Sequence, residues 1–441
     1  MFFIEAEIQA RELERGLLLA MLVAREGHDA FVSPGPIKAL QASGSAGHVL
    51  HVNSLTSSRL DAYEQVREHG NLITSQDEEA FLNETMGEAT INYANRVSGR
   101  ASRIVQHAYS WGPVDHQAMI QVASEMQDVL VPTGGARVDF WREDMDDFYR
   151  PRRAWIPTEP YVLIASRFGR VLQQRRAWEH FALRRRDGYG ADTLWFEDLG
   201  EGWRALGHLV TAVQSMAQRN PSTRFVVRPH PVESAAAWPA FLEGMPNVEV
   251  RREGSVGHWV KHAKAVVTMG DMVTYEAVAM QVPTLTFLPD SFAEGSLPSA
   301  FGTRVNTVAD LVDLVSGVVA GERLEHVQRS DLDTIFWPRG GVQRASERIA
   351  TQWLDAVDDP VSGPVRKRAL TAIYRHVRRT YARKRRRRMK AVAGKNPKFP
   401  PLERHSVAEA MSGLSRVVEH DGVGFRLVTP STVHVFASDR S

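Results

Sequence analysis

The clearest structural signal in this chain is an apolar run that ends in two prolines, Arg224-Phe225-Val226-Val227-Arg228-Pro229-His230-Pro231. The apolar part predicts a buried strand, and the prolines, which cannot continue a central strand, end it at Arg228. Arg228 and His230, with Glu233 beyond them, are therefore expected just past the carboxyl end of a strand. Open α/β sheets bind their ligands at that edge.

The residues around this run extend the pattern. Further strands are predicted at residues 161–165, 247–250, 265–268 and 283–287. Gly270 and Asp271 precede a helix that carries Thr274 and Glu276. Because free backbone N–H groups and the helix dipole favour an anion, Gly270 and the Thr274 hydroxyl predict a phosphate seat. Glu276, one turn inside, is a candidate acceptor for ribose hydroxyls.

The N-terminal part also alternates strands with helices, which predicts a parallel sheet with crossover helices. Strands are expected at residues 2–4, 29–32, 47–52, 72–74, 104–105 and 129–131, and a helix over 9–26 is capped by Gly27. The predicted fold class is α/β, with two Rossmann-like lobes and a cleft between them. The expected boundaries are an N-terminal acceptor-side lobe over 1–157, a donor lobe over 158–357, and a basic helix with a small appendage over 358–441.

Acidic residues follow one predicted strand end, in Gln76-Asp77-Glu78-Glu79. Asp77, Glu78 or Glu79 could act there as a general base or position an acceptor hydroxyl. Alternatively, these acids simply begin the next helix, where the helix dipole favours negative charge.

Two loops that contain arginine follow other strand ends. Gly134-Gly135-Ala136-Arg137 either lets a ligand approach the backbone, with Arg137 meeting a phosphate or carboxylate, or forms a turn with a solvated arginine. In the loop 166–170, the side chains of Ser166, Arg167 and Arg170 are candidate contacts for a phosphate or a sugar acid.

His230 and Arg228 each have two interpretations. His230 either contacts the donor and stabilises charge on a leaving phosphate, or is a core histidine bonded to a carbonyl. Arg228 either contacts the donor or braces its loop.

Composition narrows the class of protein. The 441 residues suit two domains, and 43% hydrophobic with 24% charged residues is typical of a globular protein. The absence of cysteine excludes disulfides, thiolate nucleophiles and cysteine-ligated metal sites. No apolar run approaches the roughly 18–20 residues of a membrane span. No histidine spacing with nearby acids predicts a metal site, so neither a metal nor another cofactor is expected.

Short elements, taken in their order along the chain, resemble the family of surface carbohydrate biosynthesis proteins over most of the length. These elements are Glu5 with Arg11-Glu12-Leu13-Glu14, Gln76-Asp77-Glu78-Glu79, Tyr109-Ser110-Trp111-Gly112, Gly134-Gly135-Ala136-Arg137-Val138-Asp139, the Arg228 to Glu233 run, Arg252-Glu253-Gly254-Ser255-Val256, and Lys398-Phe399-Pro400-Pro401-Leu402. Residues 223–290 also resemble the donor-binding domain of GT-B glycosyltransferases. The element from Arg228 to Pro231 is similar to the His-Pro motif of capsule β-Kdo transferases, and CDP-glycerol polymerases of teichoic acid synthesis share a related element.

The resemblance implies a metal-independent GT-B glycosyltransferase of cell-surface polysaccharide synthesis. It would transfer Kdo or a related acidic sugar from a CMP-activated donor to a glycan or glycolipid acceptor. In β-Kdo transferases the loop that resembles residues 166–170 supplies an aspartate thought to act as a nucleophile, whereas this loop has no carboxylate. Two alternatives stay open: glycerophosphate transfer from CDP-glycerol, and a non-catalytic assembly partner with a degenerate fold.

The resulting site prediction has three parts. The catalytic candidates are Asp77, Glu78, Glu79 and His230. The donor-binding candidates are Ser166, Arg167, Arg228, His230, Pro231, Glu233, Gly254, Ser255, Gly270, Asp271, Thr274 and Glu276. Arg137 and Arg170 are expected to contact the acceptor or an anion.

The C-terminal part is strongly basic. From Arg366 to Lys398 there are fifteen Lys or Arg and no acid, and apolar residues recur at helical spacing. The segment 366–398 therefore predicts a basic amphipathic helix that contacts an anionic membrane surface, packs against the first lobe, or binds nucleic acid. Nucleic acid is not the expected partner, because no aromatic platform or recognised module accompanies the charge. The expected location is cytoplasmic, peripheral on the inner face of the membrane, and a hairpin is expected over 424–436.

Overall fold

The computed structural model describes residues 1–78, 93, 96–173, 193–234, 236–292, 296–324, 332–333, 335–337, 343–357, 363–390 and 398–438. These residues form two compact units. The first is built from the described residues within 1–78, 93–151 and 332–438, and the second from those within 152–324.

The strands of the described residues are β1 (Phe2–Glu5), β2 (Ala30–Ser33), β3 (Val49–Val52), β4 (Leu72–Ser75), β5 (His107–Tyr109), β6 (Leu130–Val131), β7 (Tyr161–Ala165), β8 (Arg224–Arg228), β9 (Val248–Val250), β10 (Ala265–Thr268), β11 (Thr284–Phe287), β12 (Thr303–Val305), β13 (Val423–Thr429) and β14 (Thr432–Ala437). The helices are α1 (Gln9–Arg25), α2 (Ile37–Ser43), α3 (Ser57–Glu68), α4 (Gly99–Ser102), α5 (Pro113–Val122), α6 (Asp146–Tyr149), α7 (Thr193–Arg219), α8 (Ala237–Phe241), α9 (Val256–His262), α10 (Met272–Ala279), α11 (Val308–Ala320), α12 (Ala345–Asp355), α13 (Gly363–Lys390) and α14 (Arg404–Val418).

The first unit is organised on a sheet with the strand order β13-β14-β2-β1-β3-β4-β5-β6. Strands β1 to β6 are parallel, and the C-terminal hairpin of β13 and β14 joins antiparallel to β2. Helix α1 approaches β2 closely because Gly16 has no side chain: a Cβ there would lie 2.8 Å from Val32 Cγ1. Leu17 and Leu18 of this helix are fully buried, and each such burial stabilises the fold by about 1.5–3 kcal/mol.

The second unit has a fully parallel sheet with the order β12-β11-β10-β7-β8-β9. This is the order of the dinucleotide-binding Rossmann fold, in which the first strand lies centrally and the chain proceeds outward in both directions. Its core contains the buried faces of the strands and of α7, including Leu209 and Val213. The predicted α/β fold class with two Rossmann-like units is confirmed.

The structure corrects the expected boundaries. Helix α12 was expected to belong to the second lobe, but it lies in the first unit. Asp139 accepts hydrogen bonds from the first backbone N–H groups of α12, at Ala345 (2.9 Å) and Ser346 (2.7 Å), and Trp353 stacks on Phe2 with ring centroids 5.8 Å apart. The C-terminal hairpin is likewise part of the first sheet, because β14 pairs with β2, and not an appendage.

One strand lies later than predicted. Residues 104–105 were expected to form β5, but the backbone N–H groups of Ile104 and Val105 both donate to Ala101 O and continue the turn of α4. The strand begins at His107, three residues after the predicted start. Among the described residues, no helix combines the length and the hydrophobicity needed to cross a bilayer.

Candidate functional site

The first sheet reverses its strand order between β1 and β3, and ligands bind at such a reversal in open α/β sheets. Three buried polar residues lie there: Glu5 at the end of β1, Asn53 just after β3, and Glu12 in the first turn of α1. The Glu5 carboxylate accepts a hydrogen bond from Asn53 N–H at 3.1 Å, and the Asn53 amide donates to Glu12 at 2.5 Å. A hydrogen-bonded polar cluster therefore occupies the switch point of the first sheet.

Arg15 on α1 is the centre of this cluster and is 1% exposed. Its guanidinium donates to Glu5 O at 2.9 Å and to Asn53 Oδ1 at 3.0 Å, and it lies 3.1 Å from His51 Nε2. Burial, together with the charge of Arg15, holds the pKa of His51 well below its ordinary value. The neutral ring can accept from Arg15 through Nε2 while Nδ1–H bonds Thr74 Oγ1 at 3.0 Å.

Arg15 also forms an ion pair, in which its Nε lies 3.2 Å from Glu78 Oε1. Glu78 is 2% exposed, and neither of its carboxylate oxygens accepts a hydrogen bond from the residues that the structure describes. Burial raises the pKa of Glu78; the charge of Arg15 opposes that rise, and the charge of Glu12 adds to it. A buried carboxylate with a raised pKa and unused acceptor capacity has the properties of a general base.

The acidic neighbours of Glu78 do not share these properties. Asp77 is held by Arg96, whose Nε and Nη2 donate to its two oxygens at 2.6 Å each. This bidentate pair occupies both oxygens and supports a structural role for Asp77. Glu79 lies outside the described residues.

A second buried carboxyl lies behind Asp77. Trp111 donates through Nε1 to Asp77 O at 2.8 Å and through its backbone N–H to Asp115 Oδ2 at 2.8 Å, and the Tyr93 hydroxyl donates to the other oxygen of Asp115. Burial raises the pKa of Asp115 to about 8, against the opposing effect of the Trp111 N–H. Asp115 is therefore mostly protonated at neutral pH.

The loop that follows β6 is tied to the same edge through Gln76. Its amide donates to Gly134 O at 2.9 Å, and its Oε1 accepts from Ala136 N at 2.9 Å. A Cβ at Gly135 would lie 2.6 Å from the Trp111 ring, which explains glycine at that position. Arg137 is 9% exposed, so the alternative of a solvated arginine is wrong.

In the second unit, strand order reverses between β7 and β10. Ser166, which follows β7, donates to Glu233 Oε1 at 2.7 Å, and Trp238 Nε1 donates to Glu233 Oε2 at 2.8 Å. Burial raises the pKa of Glu233, and the hydrogen bonds from Ser166 and Trp238 oppose that rise. Ser166 and Glu233 thus tie the loops after β7 and β8 together.

Arg167, in the loop after β7, reaches the loop after β10 on the other side of this reversal. Its Nη1 donates to Met269 O at 3.0 Å and to Gly270 O, and its guanidinium lies 5.6 Å from the ring centroid of Phe292. Gly270 has a φ of +71°, which L side chains rarely adopt. Arg167 therefore holds the turn that precedes α10.

The start of α10 is capped by its own side chains. Asp271 accepts from Val273 N–H at 2.9 Å, and Thr274 Oγ1 accepts from Asp271 N–H at 3.2 Å. The Thr274 hydroxyl also lies 2.8 Å from Thr268 Oγ1 and is fully buried. This arrangement supports a capping role for Thr274 instead of the phosphate contact expected from the sequence.

Arg228 is a loop brace, one of its two expected roles. Its Nη1 donates to Glu253 O at 3.0 Å, its Nη2 donates to Gly254 O, and its guanidinium lies 5.8 Å from the Trp259 ring centroid. Burial lowers the pKa of Arg228 to about 10, still well above neutral. Gly254 has a φ of +63°, and a Cβ there would overlap the Trp155 ring.

Other predicted donor contacts keep part of their surface exposed: His230, Pro231, Ser255 and Asp271. Arg170, predicted to contact the acceptor or an anion, is exposed as well. His230 lies between the two prolines, and its Nδ1 is 3.4 Å from Val232 N. Glu276 is 4% exposed, and its charge acts on that of Arg228.

Sequence reasoning missed Arg15, Asn53 and His51. Asn53 was detectable, because it follows β3 at the same edge as Glu5 follows β1 and both precede helices. Arg15 was not, since an arginine two residues before a leucine run is typical of the flank of a helix. Among the described residues, no group of three or more His, Asp or Glu is arranged to hold a metal ion.

Comparison with known proteins gives a likeness of fold alone. No family model and no curated protein matches the sequence. A UDP-GlcNAc 2-epimerase of Methanocaldococcus jannaschii, in complex with UDP-GlcNAc and UDP, is 13% identical, with a TM-score of 0.47 over 80% of this chain and 99% of that one. The UDP-GlcNAc 2-epimerase of Neisseria meningitidis is 12% identical, with a TM-score of 0.46 over 80% and 99%. The wall teichoic acid polymerase TagF is 11% identical, with a TM-score of 0.43 over 71% and 74%.

Proposed function

We propose that this protein is a glycosyltransferase that uses a nucleotide-activated sugar in the synthesis of a cell-surface glycan. The observation that carries the proposal is Glu78, a buried carboxylate at the ligand-binding edge of the first sheet. Its oxygens accept no hydrogen bond from the described residues. Buried carboxylates normally accept hydrogen bonds, and Glu78 has only the ion pair with Arg15 among the described residues; a raised pKa in such a setting is typical of a proton acceptor.

In this proposal, the first unit binds the acceptor and Glu78 takes the proton of its attacking hydroxyl. The hydroxyl oxygen bonds to the anomeric carbon of the donor sugar, and the nucleotide leaves with the electron pair of the broken carbon–oxygen bond. Asp77 and Glu12 are not candidates for this step, because their oxygens are engaged by Arg96 and by Arg11 and Asn53. General base catalysis of this kind contributes about 10²–10⁴-fold to rate.

The second unit binds the nucleotide in this proposal. The phosphate is placed beside the start of α10, where the helix dipole favours negative charge, although the Val273 N–H there already donates to Asp271. The partly exposed His230 stabilises negative charge on the leaving phosphate, and Glu276 accepts from the ribose. Arg167 and Arg228 preorganise these loops through their bonds to backbone carbonyls.

Our first choice of donor is CMP-linked Kdo or a related acidic sugar, on the resemblance of the element from Arg228 to Pro231. The acceptor is a glycan or glycolipid at the inner face of the cytoplasmic membrane, and the reaction is metal-independent.

A thermal-shift screen tests the donor, because a ligand that binds the native state raises the melting temperature by mass action. The ligands are CMP, CDP, UDP, GDP, CMP-Kdo, CDP-glycerol and UDP-GlcNAc, each with and without EDTA.

Selective stabilisation by CMP and CMP-Kdo, unchanged by EDTA and lost in His230→Ala and Glu276→Ala, is the expected result. Selective stabilisation by CDP-glycerol would replace the acidic sugar with a glycerophosphate donor. If no nucleotide shifts the melting temperature, the enzyme proposal fails and a non-catalytic assembly partner takes its place.

A further inference from the structure

Helix α13 has an apolar face and a basic face, and the apolar face is covered by the rest of the first unit. Ala369 and Ile373 are buried in the core of the first unit, and Leu370, Tyr374 and Val377 pack against that core. These five residues lie on one side of the helix, at the spacing of successive turns. The apolar side of the helix is therefore used within the first unit.

Polar contacts fix the rotation of α13 on this unit. Arg366 forms a bidentate pair with the buried Asp29, with its Nε and Nη2 at 2.7 and 2.9 Å from the two oxygens. The Tyr374 hydroxyl donates to His434 Nδ1 at 2.6 Å, and His434 Nε2 donates to Asp29 at 2.8 Å. Two turns of the helix are thus held to β14 and to the residue that precedes β2, and the opposite side of the helix faces outward.

The outward side is rich in basic residues and has no acid, and it also exposes Thr371, Ala382 and, near the start of the helix, Val365, which is 57% exposed. Its exposed basic residues are Lys367, Arg368, Arg375, Arg378, Arg379 and Arg383. At 3.6 residues per turn they fall within an arc of about 160° and extend over about 24 Å of helix. No acid interrupts residues 366–398, and the helix continues through the basic residues 384–388.

We propose that this face adsorbs to an anionic lipid bilayer through its phosphate headgroups, electrostatically and without insertion of the helix. Clusters of four to eight basic residues on a helix are typical of such surfaces. Insertion would need the apolar side that Ala369 and Ile373 already bury in the first unit. This proposal does not depend on the chemistry proposed for Glu78. Adsorption would hold an enzyme that acts on a lipid-linked acceptor at the membrane surface.

A bilayer fits this face better than nucleic acid. The tyrosines of the described helix, Tyr374 and Tyr381, are partly buried and offer no open platform for stacking bases. The chain as a whole is nearly balanced, with 54 basic and 52 acidic residues, so the positive charge is local to this helix.

Co-sedimentation of the full-length protein with vesicles tests the proposal. The vesicles contain phosphatidylcholine alone or with 30% phosphatidylglycerol, at low salt and at about 300 mM NaCl, where exposed charges are strongly screened. Binding is expected only to the anionic vesicles and only at low salt. The variant Arg375→Gln/Arg378→Gln/Arg379→Gln is expected to bind on the order of 100-fold more weakly, at about fivefold per residue.

The matched control removes the same charge elsewhere on the first unit, in Arg25→Gln/Arg67→Gln/Arg103→Gln, and is expected to bind like the wild type. All three of these arginines are exposed. Equal binding to neutral vesicles, or binding that survives high salt, would overturn the proposal in favour of insertion. Equal weakening in both variants would show a non-specific charge effect, and tighter binding to RNA or duplex DNA than to anionic vesicles would assign the face to nucleic acid.

Discussion

The two sheets differ in how they use arginine at the point where strand order reverses. In the second unit, Arg167 and Arg228 donate to backbone carbonyls and hold loops in place. In the first unit, Arg15 also bonds a carbonyl and an amide oxygen, but it faces the carboxylate of Glu78, which has no hydrogen-bond donor among the described residues. A buried ion pair that lacks such bonds is rarely optimal for stability. In the function proposed above, the first edge carries the chemistry and the second binds the nucleotide.

The largest expected effect comes from removing one partner of that pair. Arg15→Gln leaves Glu78 as an uncompensated buried charge and is expected to lower the free energy of unfolding by about 3–5 kcal/mol near pH 7. Because a raised pKa makes a carboxylate less stabilising as pH rises, the deficit should shrink toward acid pH. Urea unfolding measured between pH 5 and 8 checks both statements.

The double variant Arg15→Gln/Glu78→Gln is the control for this prediction. Removing the second charge should recover much of the lost stability, which gives a large coupling energy in the double-mutant cycle. If the changes in unfolding free energy of the two single variants simply add, Arg15 does not act through Glu78. The described difference between the two sheet edges would then be wrong.

Asp115 tests whether burial at the first edge shifts carboxyl pKa values as described. Its pKa of about 8 lies above its ordinary value of 3.8, so its contribution to stability is fully present below about pH 4 and is lost as pH rises through 8. Between pH 6 and 9 the wild type is expected to lose about 2–3 kcal/mol relative to Asp115→Asn. Denaturant unfolding of both proteins across this range measures the difference, and parallel pH profiles would contradict it.

Arg228→Lys tests the bracing role at the second edge. A lysine cannot replace both hydrogen bonds to Glu253 O and Gly254 O, so the free energy of unfolding should fall by about 1–2 kcal/mol without any nucleotide present. The exposed Arg170→Lys is the matched control and should change stability by less than about 0.5 kcal/mol. A normal unfolding curve for Arg228→Lys combined with lost nucleotide binding would instead make Arg228 a direct ligand contact.

Much of the fold could be predicted from local patterns. Short apolar runs separated by helices with apolar stripes indicated parallel sheets, and Pro229 and Pro231 marked the end of β8 correctly. The errors arose at elements whose place in the fold depends on contacts with residues far away in the sequence. Nothing near residues 432–437 shows that β14 pairs with β2, and nothing near α12 shows that Asp139 caps it.

The candidate site was predicted in part. The strand-end rule placed Glu78 at a sheet edge, but it could not separate Glu78 from Asp77. That distinction rests on Arg96, which engages only Asp77. Sequence also suggested ligand contacts for Thr274 and Arg228, whose polar atoms the structure engages in a helix cap and with loop carbonyls. Polar residues near strand ends can stabilise loops or bind ligands. The sequence is the same in both cases, and only the hydrogen-bond partners seen in the structure distinguish the two roles.

The most direct test of the account is the turnover of Glu78→Gln with the donor found by the thermal-shift screen. Nucleotide release should be measured in a single turnover at saturating donor and acceptor, beside Glu12→Gln, whose carboxylate is equally buried but fully hydrogen-bonded. The account predicts that Glu78→Gln binds the donor with wild-type affinity and releases nucleotide about 10²–10⁴-fold more slowly, whereas folded Glu12→Gln keeps near-normal turnover. Wild-type turnover by Glu78→Gln would contradict the proposed role of the first sheet edge.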